Sequence, residues 1–307
     1  MSEILVVGSL GYDSIETPAG KVDRTLGGAA NYFSLAASHF SPVRVVGVVG
    51  EDYQEKDREL LTSRGVDLSG LEKKHGKTFY WSGAYTKDMN EAITKVTELN
   101  VFGDFNPKLP AHYKNSKFVF LANIDPVIQL QVLEQVDQPM YVGSDTMNFW
   151  IQSKLPELKK VLTKVNVVLI NEGESMMLTG ASNAIAAAAA LCKMGPQAVV
   201  IKRGEYGFVL YTPADGYFIL PAFPISEVID PTGAGDTFAG GFFGYLASLN
   251  RIPQTKDLKQ ACIKGSMLAS FTIQDFGVNG LAAVTKGHVQ DRTQAYGRVI
   301  SLEDSAK

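Results

Sequence analysis

A single glycine-rich run determines how the rest of this chain is interpreted: Asp230-Pro231-Thr232-Gly233-Ala234-Gly235-Asp236-Thr237-Phe238-Ala239-Gly240-Gly241. The β-branched residues Val228-Ile229 lead into it, and an apolar run of helical length follows over 235–249. Such a turn presents free backbone amides at a helix N-terminus, which bind anions and above all phosphate. Gly233 and Gly235 tolerate positive φ and allow a ligand to approach the backbone closely. The run therefore predicts a phosphate-binding turn between an extended segment and a helix.

Asp236 stands at the head of the predicted helix. The positive end of the helix dipole favours the charged form of its carboxyl group, beside any anion that the amides hold. A base next to an anion site is what phosphoryl transfer requires. The same spacing also suits a tight turn in which Asp236 is only an N-cap. Spacing alone leaves both interpretations open.

The run closely resembles the C-terminal signature of the ribokinase-like (PfkB-type) kinase family, D-T-x-G-A-G-D-x-F, with Pro231 in place of the usual Thr. This resemblance implies that Asp236 is the catalytic base. It implies that the amides around Gly233, Ala234 and Gly235 form the anion hole for the transferred phosphate. In some family members the first Asp of the motif, here Asp230, lies beside a monovalent cation, so activation by K⁺ is an expectation to test.

Composition indicates an ordinary globular protein with a large core, because 45% of the 307 residues are hydrophobic. The formal charge of -3 gives no electrostatic reason to expect nucleic acid or a membrane as a partner. Cys192 and Cys262 both lie in apolar helical stretches, which argues against a disulfide framework or a cysteine metal site and fits a reducing cytoplasm. The N-terminal apolar run is too short for a signal peptide or membrane span. We therefore expect a cytoplasmic protein.

Apolar runs of strand length alternate with helical patterns along most of the chain, as in a parallel α/β sheet. The predicted strands are 4–7, 43–50, 117–123, 140–145, 165–170, 198–201 and 208–211, and the predicted helices are one that ends at Phe40 and those at 52–63, 126–136, 181–194, 235–249, 257–272 and 289–299. The first strand is followed by Gly8-Ser9-Leu10-Gly11, which lacks the three-glycine fingerprint of a dinucleotide-binding dehydrogenase. A dehydrogenase is therefore disfavoured.

Asp13 and Asn31 are candidate substrate ligands. Asp13 follows the first strand, where ligands gather in open α/β sheets, and a carboxylate accepts hydrogen bonds from paired hydroxyls. Asn31 can donate and accept, which suits a polyol or a ribose, although capping a turn or helix is an alternative for both residues. Gly27-Gly28-Ala29-Ala30-Asn31 resembles the family's G-G-x-x-x-N signature, shortened by one residue. The resemblance implies that Gly27, Gly28 and the two polar residues bind the sugar, and Phe33, where a small residue is usual, is expected to narrow the pocket.

Asn171 and Glu174 match the N-x-x-E motif that, in the resembled family, organises Mg²⁺ and its waters. Mg²⁺ prefers hard oxygen ligands and keeps several waters, so one carboxylate and one amide suffice, partly through water. A capping box has the same spacing, with Asn171 as N-cap and Glu174 at N3, and both roles can hold together. Asp145, Thr146 and Asn148 end another predicted strand at the same edge, and the sequence assigns them no definite role.

The resemblance also implies a nucleotide site. Gly204 and Gly207 match the family's G-x-x-G turn beside the phosphates and ribose of ATP, where Lys202 or Arg203 would offset phosphate charge. A plain hairpin turn with solvated basic residues has the same spacing. Asn279, after the last long apolar helix, is a weaker candidate for the adenine edge.

Residues 14–26 and 77–100 depart from the parallel pattern and are typical of short antiparallel strands. The resemblance implies that they form a small β lid over the substrate. The ranges expected to form the α/β core are 1–13, 27–76 and 101–307. For the lid aromatics Tyr80, Trp81 and Tyr85, the alternatives are ordinary packing, which is favoured, contact with substrate, or contact with a partner lid in a homodimer.

Three motifs, at 27–31, 171–174 and 230–236, occur in the same order as in the family and extend the resemblance over most of the chain. It implies a ribokinase-like fold: a doubly wound, mostly parallel sheet with helices on both faces and a small β-sheet lid. It also implies ATP- and Mg²⁺-dependent transfer of the γ-phosphate to a hydroxyl of a small sugar. A nucleoside kinase of the same fold is the first alternative. The second is a catalytically silent regulatory protein that binds sugar or nucleotide, which the retention of Asp236, Asn171 and Glu174 disfavours.

Overall fold

The computed structural model describes residues 2–90 and 92–301, so Met1, Glu91 and 302–307 of the predicted ranges lie outside the described residues. The strands are β1 (Ile4–Val7), β2 (Gly11–Thr17), β3 (Gly20–Gly27), β4 (Val43–Val49), β5 (Val66–Lys73), β6 (Phe79–Tyr85), β7 (Ala92–Glu98), β8 (Phe118–Leu121), β9 (Tyr141–Ser144), β10 (Val167–Asn171), β11 (Ala198–Lys202), β12 (Phe208–Thr212) and β13 (Gly216–Leu220). The helices are α1 (Ala29–Ala37), α2 (Glu55–Ser63), α3 (Pro126–Leu133), α4 (Asn148–Ser153), α5 (Leu155–Leu162), α6 (Glu172–Thr179), α7 (Ala184–Cys192), α8 (Ala234–Ser248), α9 (Thr255–Thr272), α10 (Asn279–Ala282) and α11 (Lys286–Ile300).

The large sheet has nine strands in the order β13-β12-β11-β10-β9-β8-β1-β4-β5. Its neighbours are parallel from β5 to β11, and β12 and β13 are added antiparallel at one edge. The chain builds outward from β1 in both directions, first through β4 and β5 and later through β8. In a doubly wound sheet, ligands bind where the strand order reverses, at the carboxyl ends of the strands. The sheet therefore directs a ligand site to the crevice beyond β1 and β8.

Both faces of the large sheet are buried, which explains why its central strands are uninterrupted apolar runs. Ile4 and Val6 belong to a core that includes residues of α1, α8 and α9. Leu5 and Val7 belong to a second core that includes residues of α3 and α5. The predicted doubly wound sheet with helices on both faces is thus confirmed.

Every apolar run predicted as a strand forms one, and every predicted helix forms with its ends shifted by a few residues. Sequence analysis missed β5, β13 and the short helices α4, α5 and α10. The two strands are at opposite edges of the large sheet and alternate between partly buried and exposed residues over much of their length. An edge strand lacks the continuous apolar run on which the prediction depended.

The small sheet has the strand order β3-β2-β6-β7. Its outer pairs, β2 with β3 and β6 with β7, are antiparallel, whereas β2 and β6 are parallel. Asp13 follows β1 as expected, and it is the third residue of β2, so the alternative of a turn-capping Asp is wrong. The chain turns within residues 8–10 and begins a new strand at Gly11.

Helices α1 and α8 pack with their backbones in contact. A Cβ atom on Gly240 would lie 2.3 Å from the carbonyl oxygen of Phe33, and one on Gly244 would lie 2.8 Å from Cα of Ala37. The second contact lies four residues after the first in both helices, so α1 and α8 run in the same direction. The N-termini of α1 and α8 therefore meet at one end, and the glycines set how close they come.

Among the described residues, no single helix combines the length and apolar composition needed to cross a membrane, and one bent pair, α6 with α7, meets that criterion only jointly.

We expect Gly240→Ala to destabilise the protein by roughly 1–3 kcal/mol, because the new methyl group meets backbone atoms that cannot rotate away. Thermal unfolding should show a fall in Tm of about 1.5 °C for each kcal/mol. Gly297→Ala is the matched control, since Gly297 lies in α11 with nothing within 4 Å of an added Cβ. That variant should keep or raise Tm. A Gly240→Ala protein with the wild-type Tm would contradict the close packing.

Candidate active site

Asp13 lies in a cradle formed by the end of β3 and the start of α1. A Cβ atom on Gly27 would lie 1.9 Å from Oδ2 of Asp13, and Gly28, with φ of +91°, donates its amide to the carboxylate. Asp13 is only 4% exposed. Burial, and then the carboxylates of Asp230 and Asp236, raise the pKa of Asp13 to about 8. The Asp13 carboxyl group therefore requires glycine at position 27, and it lies near the carboxyl groups of Asp230 and Asp236.

Asn31 is fully buried in the first turn of α1. Its Nδ2 donates to the carbonyl oxygen of Gly27 at 2.6 Å, and its Oδ1 accepts from the hydroxyl of Tyr53 at 3.5 Å. The side chain thus braces the glycine turn. Phe33 does not narrow a pocket as expected, because it is fully buried and stacks on Phe120 of β8 with ring centroids 4.5 Å apart.

Helix α8 begins at the glycine-rich run. Gly233 is its N-cap in the left-handed conformation, with φ of +74°, and Asp236 lies in the first turn. The interpretation of Asp236 as an N-cap is therefore wrong. The amide of Ala234 donates to the carbonyl oxygen of Pro231 at 3.2 Å, and the amide of Thr237 makes the first helical bond to Gly233 at 2.8 Å. The turn is half-buried, so its face remains accessible to a ligand.

Lys202, at the end of β11, brings positive charge to the start of α8. Its Nζ is 2.7 Å from Oδ2 of Asp145 and would be 3.1 Å from a Cβ atom on Gly235. Burial lowers the pKa of Lys202, but the carboxylates of Asp145 and Glu174 outweigh it and raise the pKa overall. Lys202 is therefore a fixed cation directly beside the helix start.

Asp236 faces this same charge cluster. Burial, followed by the Asp145 carboxylate, raises the pKa of Asp236 to about 7, although Lys202 acts in the opposite direction. A carboxyl group with this pKa exchanges a proton near neutral pH, which suits a general base.

Asn171 and Glu174 form the capping box that their spacing allowed. The amide of Glu174 donates to Oδ1 of Asn171 at 2.7 Å, and the amide of Asn171 donates to Oε2 of Glu174 at 3.0 Å. Burial, followed by Asp145, raises the pKa of Glu174 to about 7.

A divalent cation fits the charge of this region. The carboxylates of Asp145, Glu174 and Asp236 all act on the one ammonium of Lys202, while Arg203 pairs with Glu172 at 3.1 Å. Negative charge is therefore in excess. Within 2–90 and 92–301, no three acidic, His or Cys side chains converge closely enough to hold a metal ion by themselves. The arrangement fits a cation held mainly through water and the substrate, as Mg²⁺ commonly is.

Asp230 is fully buried and ties two loops together. Its Oδ1 accepts from the amide of Thr232 and its Oδ2 from the amide of Gly277, both at 2.9 Å. Burial raises the pKa of Asp230, and these backbone donors lower it. Asn279, two residues beyond Gly277, is exposed at the start of α10. The carboxylate thus links the glycine-rich run to the loop that carries the candidate adenine contact.

Gly204 and Gly207 form the turn between β11 and β12, with φ of +55° and +81°. Asn90, in the connection between β6 and β7, reaches this turn, since its Oδ1 would be 2.9 Å from a Cβ atom on Gly204. On the other side, the hydroxyl of Thr232 donates to the hydroxyl of Tyr85 at 3.2 Å. The small sheet therefore touches the glycine-rich run and the β11–β12 turn together.

The lid aromatics divide between two roles. Tyr80 packs against the core, and the ring of Trp81 covers Gly83, both of which fit the favoured packing interpretation. Tyr85 instead contacts the glycine-rich run through Thr232.

Sequence reasoning assigned no definite role to three members of the cluster, Asp145, Tyr85 and Tyr32. Asp145 was noticed only by its place at a strand end, and nothing in the sequence paired it with Lys202. Tyr85 gave no signal beyond its aromatic character. Tyr32 follows the candidate ligand Asn31 directly, yet helical spacing turns its ring towards Gly233 of α8, which only the fold reveals.

A cavity of about 440 Å³ lies elsewhere, between β5 and residues 105–108. Its lining includes none of the motif residues. The candidate site is therefore assigned from the convergence of charged groups and glycines rather than from cavity size.

The chain is similar to known kinases. Residues 1–284 match the model of the pfkB family carbohydrate kinases. A cytidine kinase from Thermococcus kodakarensis is 32% identical over 254 residues, which cover 80% of this chain and 89% of that protein. Ribokinase of Arabidopsis thaliana, solved with ribose and ATP, superposes with a TM-score of 0.75 at 21% identity. The superposition covers 95% of this chain and 99% of the ribokinase chain.

A further solved structure, from E. coli in complex with ATP and Mg²⁺, has a TM-score of 0.78 at 17% identity and covers 96% of this chain and 100% of its own. These structures share the ribokinase fold with this chain. Because the family model spans nearly the whole chain and the cytidine kinase is similar over most of it, the chain belongs to the pfkB family of carbohydrate kinases.

Proposed function

We propose that this protein transfers the γ-phosphate of ATP to a hydroxyl of a small sugar, with Asp236 as the general base. The observation that carries the proposal is the start of α8. There Gly233 opens the turn, Lys202 lies against Gly235 on one side, and the Asp236 carboxyl group interacts with that of Asp13. Anion site, cation, base and candidate hydroxyl ligand thus converge at one helix N-terminus.

The acceptor would lie between Asp13 and Asp236. Asp13 would accept a hydrogen bond from one hydroxyl and hold the molecule in place, with Asn31 supporting the glycine turn around it. Asp236 would take the proton from the attacking hydroxyl as its oxygen forms a bond to the γ-phosphorus and the bond to ADP breaks. The amides at the start of α8 and the ammonium of Lys202 would stabilise the charge on the transferring group.

Asn171 and Glu174 would hold Mg²⁺, partly through water, and the bound ion would offset the charge of the phosphates. Gly204 and Gly207 would border the nucleotide, and Asn279 would meet the adenine edge. The ATP and Mg²⁺ in the E. coli structure support this proposal. We also propose that Asp230 lies beside a bound K⁺ ion. A comparison of kcat in KCl with kcat in choline chloride tests this proposal directly.

A nucleoside acceptor is the second candidate, and two observations favour it. The cytidine kinase relative is similar over most of the chain. In the small sheet, Trp81 pairs in register with Asp13, so the indole lies on the face that carries the candidate hydroxyl ligand. An aromatic ring on that face would offer a stacking surface to a nucleobase. A sugar and a nucleoside would present the same kind of hydroxyls to Asp13 and Asp236.

We further propose that the small sheet, built from β2, β3, β6 and β7, acts as a lid and pairs with a second copy in a homodimer. A bulge at Lys95 shifts the register of β7, so Ile93 and Val96 point to the same face. Ile93 and Val96 are 56% and 42% exposed, and both lie on β7, an edge strand of the small sheet. Exposed apolar residues on an edge strand favour association.

Asp236→Asn should reduce kcat by about 10²–10⁴-fold, because the acceptor proton loses its base. ADP affinity, measured by calorimetry, should change by less than about threefold, since the base takes no part in holding the nucleotide. Asp291→Asn, an exposed carboxylate on α11, is the control and should keep full activity. Wild-type kcat in Asp236→Asn would exclude the proposed base.

Activity should fall as the pH drops through about 8 and then 7, because the acceptor is held by ionised Asp13 and deprotonated by ionised Asp236, whose pKa values are raised to about 8 and about 7. The pH profile of kcat/KM for the acceptor measures this limb. Asp145→Asn removes a charge that raises the pKa of Asp236 and frees Lys202, which lowers it. The acid limb should therefore move to lower pH, and a shift to higher pH would contradict the assigned electrostatics.

Sedimentation velocity tests the homodimer. Wild type should sediment as a dimer, and Val96→Glu should sediment as a monomer because it places charge in the proposed interface. Ile252→Glu, at a residue 67% exposed away from the small sheet, is the control and should remain dimeric. A monomeric wild type at tens of micromolar would exclude this interface.

A further inference from the structure

Tyr32 carries a buried hydroxyl that the fold does not explain. The residue is 1% exposed, and its Oη has no hydrogen-bond partner in the part of the chain that the structure describes. A buried polar atom without a partner costs free energy, and where one persists in a native protein it commonly serves a ligand or a water.

The position of the ring directs this hydroxyl to the candidate active site. A Cβ atom on Gly233 would lie 2.4 Å from both Cζ and Cε2 of Tyr32, so the ring lies face-on against the N-cap of α8. The hydroxyl is attached to Cζ and therefore lies beside the same turn. Tyr32 thus crosses from α1 to α8, between the two helix starts.

The neighbours of this hydroxyl are hydrogen-bond acceptors when ionised. The carboxylates of Asp13, Asp230 and Asp236 act on it electrostatically, and Tyr85 approaches from the small sheet. Burial and these charges raise the pKa of Tyr32 well above its ordinary value, so the phenol is neutral and available as a donor. It is an unused donor in a group of acceptors. A ligand hydroxyl that donates to a carboxylate retains lone pairs that such a phenol can satisfy.

We propose that Tyr32 determines acceptor specificity: its hydroxyl donates a hydrogen bond to an acceptor oxygen whose own proton is donated to Asp13. This proposal rests on the phosphotransfer function proposed above and names a further residue of that site. The acceptor would be a molecule with at least two hydroxyls, one held by Asp13 and Tyr32 and another next to Asp236. A single alcohol group would not meet both requirements.

Tyr32→Phe separates this role from packing, because it removes only the oxygen. We expect KM for the acceptor to rise about 10- to 100-fold, with KM for ATP within about threefold of wild type. Tm of the ligand-free protein should stay the same or rise, because an unsatisfied buried hydroxyl is lost. Ser34→Ala is the matched control, since Ser34 also carries a buried hydroxyl without a partner on α1. It should keep Tm or raise it and leave the acceptor KM unchanged.

A second measurement uses the acceptor itself. Wild type should bind a deoxy analogue that lacks this hydroxyl more weakly than Tyr32→Phe binds the full acceptor, because the analogue loses the hydrogen bonds to both Tyr32 and Asp13. The variant should show no further loss with that analogue, because both changes remove the same hydrogen bond.

An unchanged acceptor KM in Tyr32→Phe would overturn the inference and leave phosphotransfer intact. A lower Tm of the ligand-free variant would overturn it as well, since the hydroxyl would then have a partner without substrate. A wild-type protein that phosphorylates no polyhydroxy acceptor would instead remove the proposed function, and this inference with it.

Discussion

The backbone contact between α1 and α8 is the constraint on which the candidate site depends. Gly240 and Gly244 allow the helices to touch, and Gly233 accepts the ring of Tyr32 where the helices begin. Asn31 and the glycine turn at 27–28 are fixed to one helix, and Asp236 to the other. Because both helices start at the carboxyl edge of the sheet, their N-terminal amides and their polar residues face a common space. Fixing this distance in the core keeps the candidate acceptor ligand and the candidate base in register before any ligand binds.

The charged groups around that space determine which ligands it favours. Asp13, Asp230, Glu174 and Asp236 all have pKa values raised by burial, and nearby carboxylates raise each of them further. Holding such groups together opposes folding, which is typical of sites rather than of structural ion pairs. Lys202 relieves part of the repulsion and is held by Asp145 at 2.7 Å. A cation, a bound hydroxyl and the proton of an alcohol would each relieve more of it, so the site is complementary to the ligands of a phosphotransferase.

The sequence allowed the main sheet, its helices and the chemical type of the site to be predicted, because these depend on local patterns. Continuous apolar runs predict strands that are buried on both faces, and the run around Gly233 and Asp236 is contiguous. The edge strands β5 and β13 were missed because half-exposed strands lack that run. The start of β2 at Gly11 was not predicted, because the turn before it is only three residues long. Tyr32 and Asp145 could not be assigned, since their partners lie on elements far along the chain, and Phe33 was expected in the pocket although it packs in the core.

The central claim is that the start of α8 transfers phosphate from ATP to an alcohol. The most direct test is ³¹P NMR of the protein with ATP, Mg²⁺ and, one at a time, pentoses, hexoses and ribonucleosides. The account predicts that one acceptor gives a new phosphate monoester resonance in step with the appearance of ADP, and that Asp236→Asn gives none. Binding of ATP and an acceptor without a new ester resonance would contradict it and would make the glycine-rich run an anion site without chemistry.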